Sequence, residues 1–359
     1  MTVRIRSDLA NLPVYRAGKR PQPGPDGRTV KLSSNENPFP PLPSVVAAIS
    51  RAAAAVREYP DPANVRLTAA ISRHVGVPVD RIAVGTGAVS LVTYLAITAA
   101  GPGDNIVYPW RSFEAYPIVT VLSGATPRPV ALTADGRHDI SGLIAAVDDR
   151  TRIVFLCSPN NPTGPSLTRD EVRLVLDSLP RDLLVVLDEA YAEYVRDAHA
   201  LDGLRDFADR DNVVVLRSFS KAYGLAGLRV GYAVGPTELM TLLRTVALPF
   251  GVTDIAAAAV EASYAAQAEL TDRVDSVVAE RRRIMGALAQ LGLAVPDTQA
   301  NFFWLPLGGR ALDFTATCEA AGVTVRPFAG EGVRVTVGAP EDNDLVLSLL
   351  AEFGTGAAR

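Results

Sequence analysis

The stretch Arg217-Ser218-Phe219-Ser220-Lys221-Ala222-Tyr223-Gly224-Leu225-Ala226-Gly227-Leu228-Arg229 follows directly on the apolar run Asn212 to Leu216, and its reading decides the fold. A short apolar run of this kind reads as a buried strand. Lys221 then falls where a strand gives way to a turn, the place where open α/β sheets carry their chemistry. Lysine forms Schiff bases with carbonyl compounds, and partial desolvation favours the neutral amine that does so. Most lysines are solvated surface residues, and a strand followed by Ser-x-Ser-Lys arises by chance, so the segment takes its meaning from its context.

Two further runs supply that context. Arg152 to Cys157 is a short apolar run ending in Ser158-Pro159-Asn160-Asn161-Pro162-Thr163-Gly164, a turn-rich string. Leu183 to Leu187 ends in Asp188-Glu189-Ala190-Tyr191. Each run delivers a polar group at a strand C-terminus, so Asn161, Asp188, Tyr191 and Lys221 converge on one point. Pyridoxal 5′-phosphate asks for such a set: a lysine for its aldehyde, a carboxylate for its pyridinium nitrogen, and hydrogen-bond donors for its phenolate oxygen.

The constellation resembles the fold type I aminotransferases that use pyridoxal phosphate, and within them the histidinol-phosphate aminotransferase branch. The resemblance runs over nearly the whole chain. It is carried by Tyr59-Pro60-Asp61-Pro62, Ser158 to Gly164, Asp188 to Tyr191, Ser218 to Arg229, and Val333-Arg334-Val335-Thr336-Val337-Gly338. Trp110-Arg111-Ser112-Phe113-Glu114-Ala115-Tyr116 and Gly87-Ala88-Val89-Ser90 are similar to the actinobacterial aromatic amino acid (phenylalanine) aminotransferases of that branch. The fold implied is α/β, a large domain with a mainly parallel sheet sandwiched by helices plus a smaller α+β domain.

The resemblance also implies roles. Lys221 anchors the cofactor as a Schiff base and, once released, moves the proton as general base and then general acid. Asp188 keeps the ring nitrogen protonated. Phe113 stacks on the ring. The turn Gly87-Ala88-Val89 opens a helix whose N-terminal amides suit a phosphate, with Ser218, Ser220 and Arg229 adding hydroxyls and a fixed cation. Tyr59 reaches the phosphate of the neighbouring subunit, which implies a homodimer with shared sites. Arg334 clamps a carboxylate or a phosphate; Arg326, Tyr15, Phe250 and Asn301 are further pocket candidates.

The implied reaction moves an amino group between phenylalanine or tyrosine and a 2-oxo acid such as 2-oxoglutarate. Relatives specialised for histidinol phosphate usually carry an acidic pair just after the glycine-rich turn, where this chain has Val89 and Ser90. Burying a phenyl or phenol ring beside Trp110 and Phe113 contributes ~2–3 kcal/mol of discrimination over a small aliphatic side chain. Histidinol-phosphate transamination is the nearest rival. A decarboxylase or lyase on the same fold and a non-catalytic, cofactor-binding regulator are the others, since fold and cofactor do not dictate which bond breaks.

Composition fits an ordinary cytoplasmic enzyme. The chain has 359 residues, 48% apolar and 21% charged, with a net charge of −4. Without a basic block, neither nucleic acid nor an anionic membrane is expected as partner. Two cysteines, Cys157 and Cys318, read as buried apolar residues, and three histidines stand apart, so no metal is expected. Arg4, Arg6 and Asp8 stand where a secretory peptide carries its apolar core, and Ala88 to Ala100 is too short for a membrane span of ~20 residues.

Three regions are expected: an N-terminal arm and small-domain segment over 1–37, with an exposed Pro/Gly-rich stretch from Gly18 to Gly27; a cofactor-binding domain over 38–249, where strands and helices alternate; and a small domain over 250–359. In the last, Val252 to Leu291 reads as one long helical region with Arg281-Arg282-Arg283 on a solvated face. Asn301 to Leu305, Val323 to Pro327 and Gly332 to Val337 form a small sheet, closed by a helix from Glu341 to Phe353.

Overall fold

The computed structural model describes residues 3, 6–9, 12, 21–25 and 27–355. Its strands, in chain order, are β1 (Val30–Lys31), β2 (Ile82–Gly85), β3 (Asn105–Trp110), β4 (Thr126–Ala131), β5 (Thr151–Cys157), β6 (Leu184–Asp188), β7 (Val213–Ser218), β8 (Gly231–Val234), β9 (Phe302–Leu305), β10 (Val323–Thr324), β11 (Arg326–Phe328) and β12 (Gly332–Thr336). Seven of them form the central sheet, in the order β2-β8-β7-β6-β5-β3-β4. The pairs from β4 through β7 are parallel, and β8 is antiparallel to both β7 and β2.

The near-continuous apolar runs of β5, β6 and β7 follow from burial on both faces. Side chains alternate with period two. Ile153, Phe155, Leu184, Val186, Val214 and Leu216 pack on one face with Leu91 and Leu95 of the helix Ala88–Ala99 and Tyr116 of the helix Ala115–Ser123. Val154, Leu156, Val185, Leu187, Val213 and Val215 pack on the other with Val172, Val175 and Leu176 of the helix Arg169–Ser178. A reciprocal Thr168–Glu171 capping box starts that last helix.

A three-stranded antiparallel sheet, β11-β12-β9, stands beside the large one. The run from Val323 divides. Val323 and Thr324 pair in parallel with Val30 and Lys31 of β1, while Arg326–Phe328 joins the antiparallel sheet. The N-terminal stretch thus returns to the C-terminal part of the chain.

The span from Val252 to Leu291 holds two helices, Asp254–Ala265 and Gln267–Gln290, interrupted at Ala266. The expected solvated triple arginine needs correction at Arg281. Val274, Val277, Val278, Arg281, Ile284 and Leu288 recur at helical spacing on the buried stripe, so Arg281 lies inside and donates to the carbonyls of Tyr194 (3.1 Å) and Ala300 (3.0 Å). Burial pulls its pKa down to about 10. Arg282 and Arg283 are exposed. No helix among the described residues is long and apolar enough to cross a membrane.

Candidate active site

Parallel strands deliver their C-terminal ends to one edge of the sheet. Two successive antiparallel steps give β2 the same direction as β7, so its end joins them. A cavity of about 250 Å³ lies there, bounded by that edge, by Ser33–Asn35 and by the β11–β12 hairpin. The crevice at the carboxyl ends of an open α/β sheet is the usual ligand position.

Lys221 enters the cavity three residues beyond β7. Asn37 Nδ2 holds its loop through the carbonyls of Lys221 (3.3 Å) and Ala222 (2.9 Å). The Lys221 Nζ donates to the Ser34 carbonyl at 3.3 Å and sits 5.7 Å from the Tyr191 ring centroid. Burial, and after it the Arg334 cation, bring its pKa down to about 7, against the opposing pull of Glu36. Burial thus favours the neutral, nucleophilic amine over the ammonium form that a solvated lysine holds.

Asp188, the last residue of β6, is buried. Its Oδ2 accepts from the Tyr116 hydroxyl at 2.8 Å, while Oδ1 is buried and has no side-chain hydrogen-bond partner among the described residues. Burial raises its pKa and the Tyr116 hydrogen bond opposes that rise. A half-satisfied buried carboxylate is costly unless something else meets it. A protonated ring nitrogen is the kind of group that would.

An anion cradle lies beside it. Gly87 caps the helix Ala88–Ala99 with φ of 80°, a conformation that favours glycine, and a Cβ there would have to displace the Arg229 guanidinium. Arg229 Nη1 donates to Ser220 Oγ (3.3 Å) and to the Ala226 carbonyl (3.0 Å), and Ser218 Oγ accepts from the Ser220 amide at 3.1 Å. Ala88 and Val89 complete this wall. Helix amides, two hydroxyls and an arginine are the donor set that suits a phosphate.

Tyr191 and Asn161 face the same cavity. The Tyr191 hydroxyl accepts from Asn35 Nδ2 at 3.0 Å, leaving its own proton to donate, and burial holds its pKa above the usual phenol range. Asn161 Oδ1 accepts from Arg334 Nη1 at 2.5 Å, and Arg334 Nη2 reaches the Ser33 carbonyl at 2.8 Å. Arg326 lines the cavity and pairs with Glu114 at 2.6 Å. Phe113 is partly buried at the cavity, edge-on to Tyr116 with ring centroids 5.6 Å apart.

Other candidates are not brought in. Asn301 is buried outside the cavity lining, where Nδ2 holds the Asn35 carbonyl at 3.2 Å; it supports the wall rather than facing the pocket. Tyr59 is 83% exposed and lies against Phe250, with centroids 4.7 Å apart, on the surface. Tyr15, and with it part of the Gly18 to Gly27 stretch, lies outside the described residues. Cys157 and Cys318 are buried, and Cys157 touches the cavity with burial pushing its thiol up to about 12. Among the described residues no cluster of His, Cys, Asp or Glu could hold a metal ion.

Four contributors escaped sequence reasoning: Tyr116, Asn35, Ser34 and Glu114. Tyr116 and Glu114 stand in the quoted aromatic string, and the polar run Ser33 to Asn37 was the available signal for the others.

A lysine with a depressed pKa, a buried carboxylate and an arginine-backed anion cradle on one sheet edge define an enzyme of amine chemistry. The chain belongs to the aminotransferase class I and II family, whose sequence pattern matches residues 28–350. It is 53% identical over 349 residues to the aromatic amino acid aminotransferase of Thermobifida fusca (strain YX), covering 97% of each chain. To the enzyme of that name from Streptomyces coelicolor it is 51% identical over 350 residues, 98% of this chain and 97% of that one. Among solved structures it is similar to histidinol-phosphate aminotransferase from Sinorhizobium meliloti in complex with pyridoxal-5′-phosphate, with a TM-score of 0.87, 29% identity and 98% of both chains covered.

Proposed function

We propose that the protein transfers an amino group between an aromatic L-amino acid, phenylalanine or tyrosine, and a 2-oxo acid such as 2-oxoglutarate, with pyridoxal 5′-phosphate held at Lys221. One observation carries this reading: Asp188, gripped by Tyr116 through one oxygen and unpartnered at the other, shares a cavity with a lysine brought down to about 7. Those residues fit the cofactor's ring nitrogen and aldehyde. The two relatives at 51–53% identity are named for aromatic amino acids, which supports the substrate class.

When bound, pyridoxal phosphate supplies an aldehyde for amines and an electron sink for the charge left at the substrate Cα. The chain's residues do the rest. Lys221 holds the cofactor and takes the Cα proton as general base, a task suited to an amine with pKa near the working pH. Asp188 fixes the ring-nitrogen proton. Tyr191 and Asn161 would meet the phenolate oxygen, Phe113 would lie against the ring, and Gly87, Ala88, Val89, Ser218, Ser220 and Arg229 would hold the phosphate. Arg334, lining the same cavity, would meet the α-carboxylate. Because Asn161 also braces Arg334, cofactor and substrate grip share one side chain.

Tyr59 and Phe250 act, on this reading, across a homodimer. Tyr59 (83% exposed), Leu248 (66%) and Phe250 (42%) leave apolar surface uncovered on one chain, as an association face does. The division into an arm over 1–37, a cofactor domain over 38–249 and a small domain over 250–359 belongs to the same proposal, as does a cytoplasmic setting.

The test is kcat/KM for L-phenylalanine and for histidinol phosphate, with 2-oxoglutarate as acceptor. Phenylalanine is expected to be preferred. A preference for histidinol phosphate by about tenfold, or ~1.4 kcal/mol, overturns the substrate class and leaves amino transfer intact.

A further inference from the structure

The β11–β12 pairing sets Arg326 directly opposite Arg334, and both side chains line the cavity. Like charges facing each other across an antiparallel pair destabilise it. The chain answers with Glu114, the residue preceding the helix Ala115–Ser123, whose Oε2 meets Arg326 Nη2 at 2.6 Å. Glu114 also lines the cavity, and the two side chains are 29% and 11% exposed, so the pair is partly desolvated and stronger than a surface contact. A second ion pair, Arg111 with Glu331, ties the same two segments together with the opposite polarity outside the cavity lining.

We propose that Glu114 sets the charge selectivity of the site: by neutralising Arg326 it leaves Arg334 to meet the α-carboxylate and lowers affinity for substrates bearing a second anionic group. The inference rests on the transaminase reading and deepens it. A neutral aromatic side chain can lie against Phe113 and Phe328 without disturbing the Glu114–Arg326 pair. A distal carboxylate or phosphate must compete with Glu114 for Arg326 and suffers repulsion from it. Specificity is then a difference of affinities created by an element that disfavours the wrong partner. A dicarboxylic acceptor is still used, at the cost of displacing Glu114.

The experiment compares Glu114→Gln, Glu114→Asp and Glu331→Gln holoenzymes with wild type. Calorimetry measures succinate, with two carboxylates, and 3-phenylpropionate, with one. Glu114→Gln is expected to bind succinate about tenfold more tightly and 3-phenylpropionate within about twofold of wild type. It should also raise kcat/KM for L-glutamate relative to L-phenylalanine by about tenfold, whereas Glu114→Asp and Glu331→Gln stay near wild type. The proposal is overturned if both ligands shift together, if neither shifts, or if Glu331→Gln reproduces the effect, which would make Glu114 part of a structural clasp. A wild-type protein that transfers no amino group would fail the transaminase reading, while the calorimetric arm would still decide the role of Glu114.

Discussion

Tyr116→Phe removes one oxygen from the least exposed part of the site. The ring should stay where it is, because its contacts survive the change: it stacks on Phe155 with centroids 4.6 Å apart and planes 5° from parallel, and it meets Phe113 edge-on. What is lost is the 2.8 Å hydrogen bond to Asp188 Oδ2. A hydrogen bond to a charged group is worth about 1.5–3 kcal/mol. If that is expressed in the transition state, where Asp188 must stay ionised, kcat falls about 10- to 150-fold. Direction in pH follows from the same contact. Burial raises the Asp188 pKa and the Tyr116 hydroxyl is the foremost opposing influence, so its removal moves the pKa higher and carries the acid limb of the kcat profile to higher pH. Steady-state kinetics of Tyr116→Phe from about pH 5 to about pH 9 measure both effects, with thermal melting as a control for the fold. A variant within about threefold of wild type, with an unmoved acid limb, would refute the claim that Tyr116 acts through Asp188.

Two further outcomes are expected. Because the Lys221 pKa is lowered to about 7, its neutral amine predominates above that pH; the rate at which cofactor-free protein takes up pyridoxal phosphate should fall as pH drops through about 7, and a rate flat down to about pH 5 would contradict the depressed pKa. Gly87→Ala places a Cβ on the Arg229 guanidinium at a backbone φ of 80°, so pyridoxal phosphate affinity, read by fluorescence titration, should weaken by about tenfold or more; an unchanged affinity would remove Arg229 from the phosphate site.

Much of this architecture was legible in the sequence because β5, β6 and β7 are buried on both faces. Their unbroken apolar runs mark them, and the polar residue that ends each run marks the sheet edge. The Lys221, Asp188 and Asn161 positions follow from that rule. What periodicity could not supply was contact between distant segments. Tyr116 reads as one more apolar-face aromatic until β6 brings Asp188 beneath it, and Asn35 lies 156 residues from the Tyr191 it bonds. Arg281 failed for a related reason. A run of three arginines looks solvated, yet the helical stripe from Val274 to Leu288 turns the first of them inward, where the carbonyls of Tyr194 and Ala300 receive it. Tyr59 and Phe250 mark a third limit, since their proposed partner is a second copy of the chain.

The central claim is that Lys221 is the hinge of amino transfer. The most direct measurement mixes L-phenylalanine and 2-oxoglutarate with protein loaded with pyridoxal phosphate and follows phenylpyruvate and glutamate, beside Lys221→Ala prepared in the same way. Equal amounts of both products are expected from the wild type and none above background from Lys221→Ala. Transfer that survives the loss of Lys221, or a wild type that forms neither product, would contradict it.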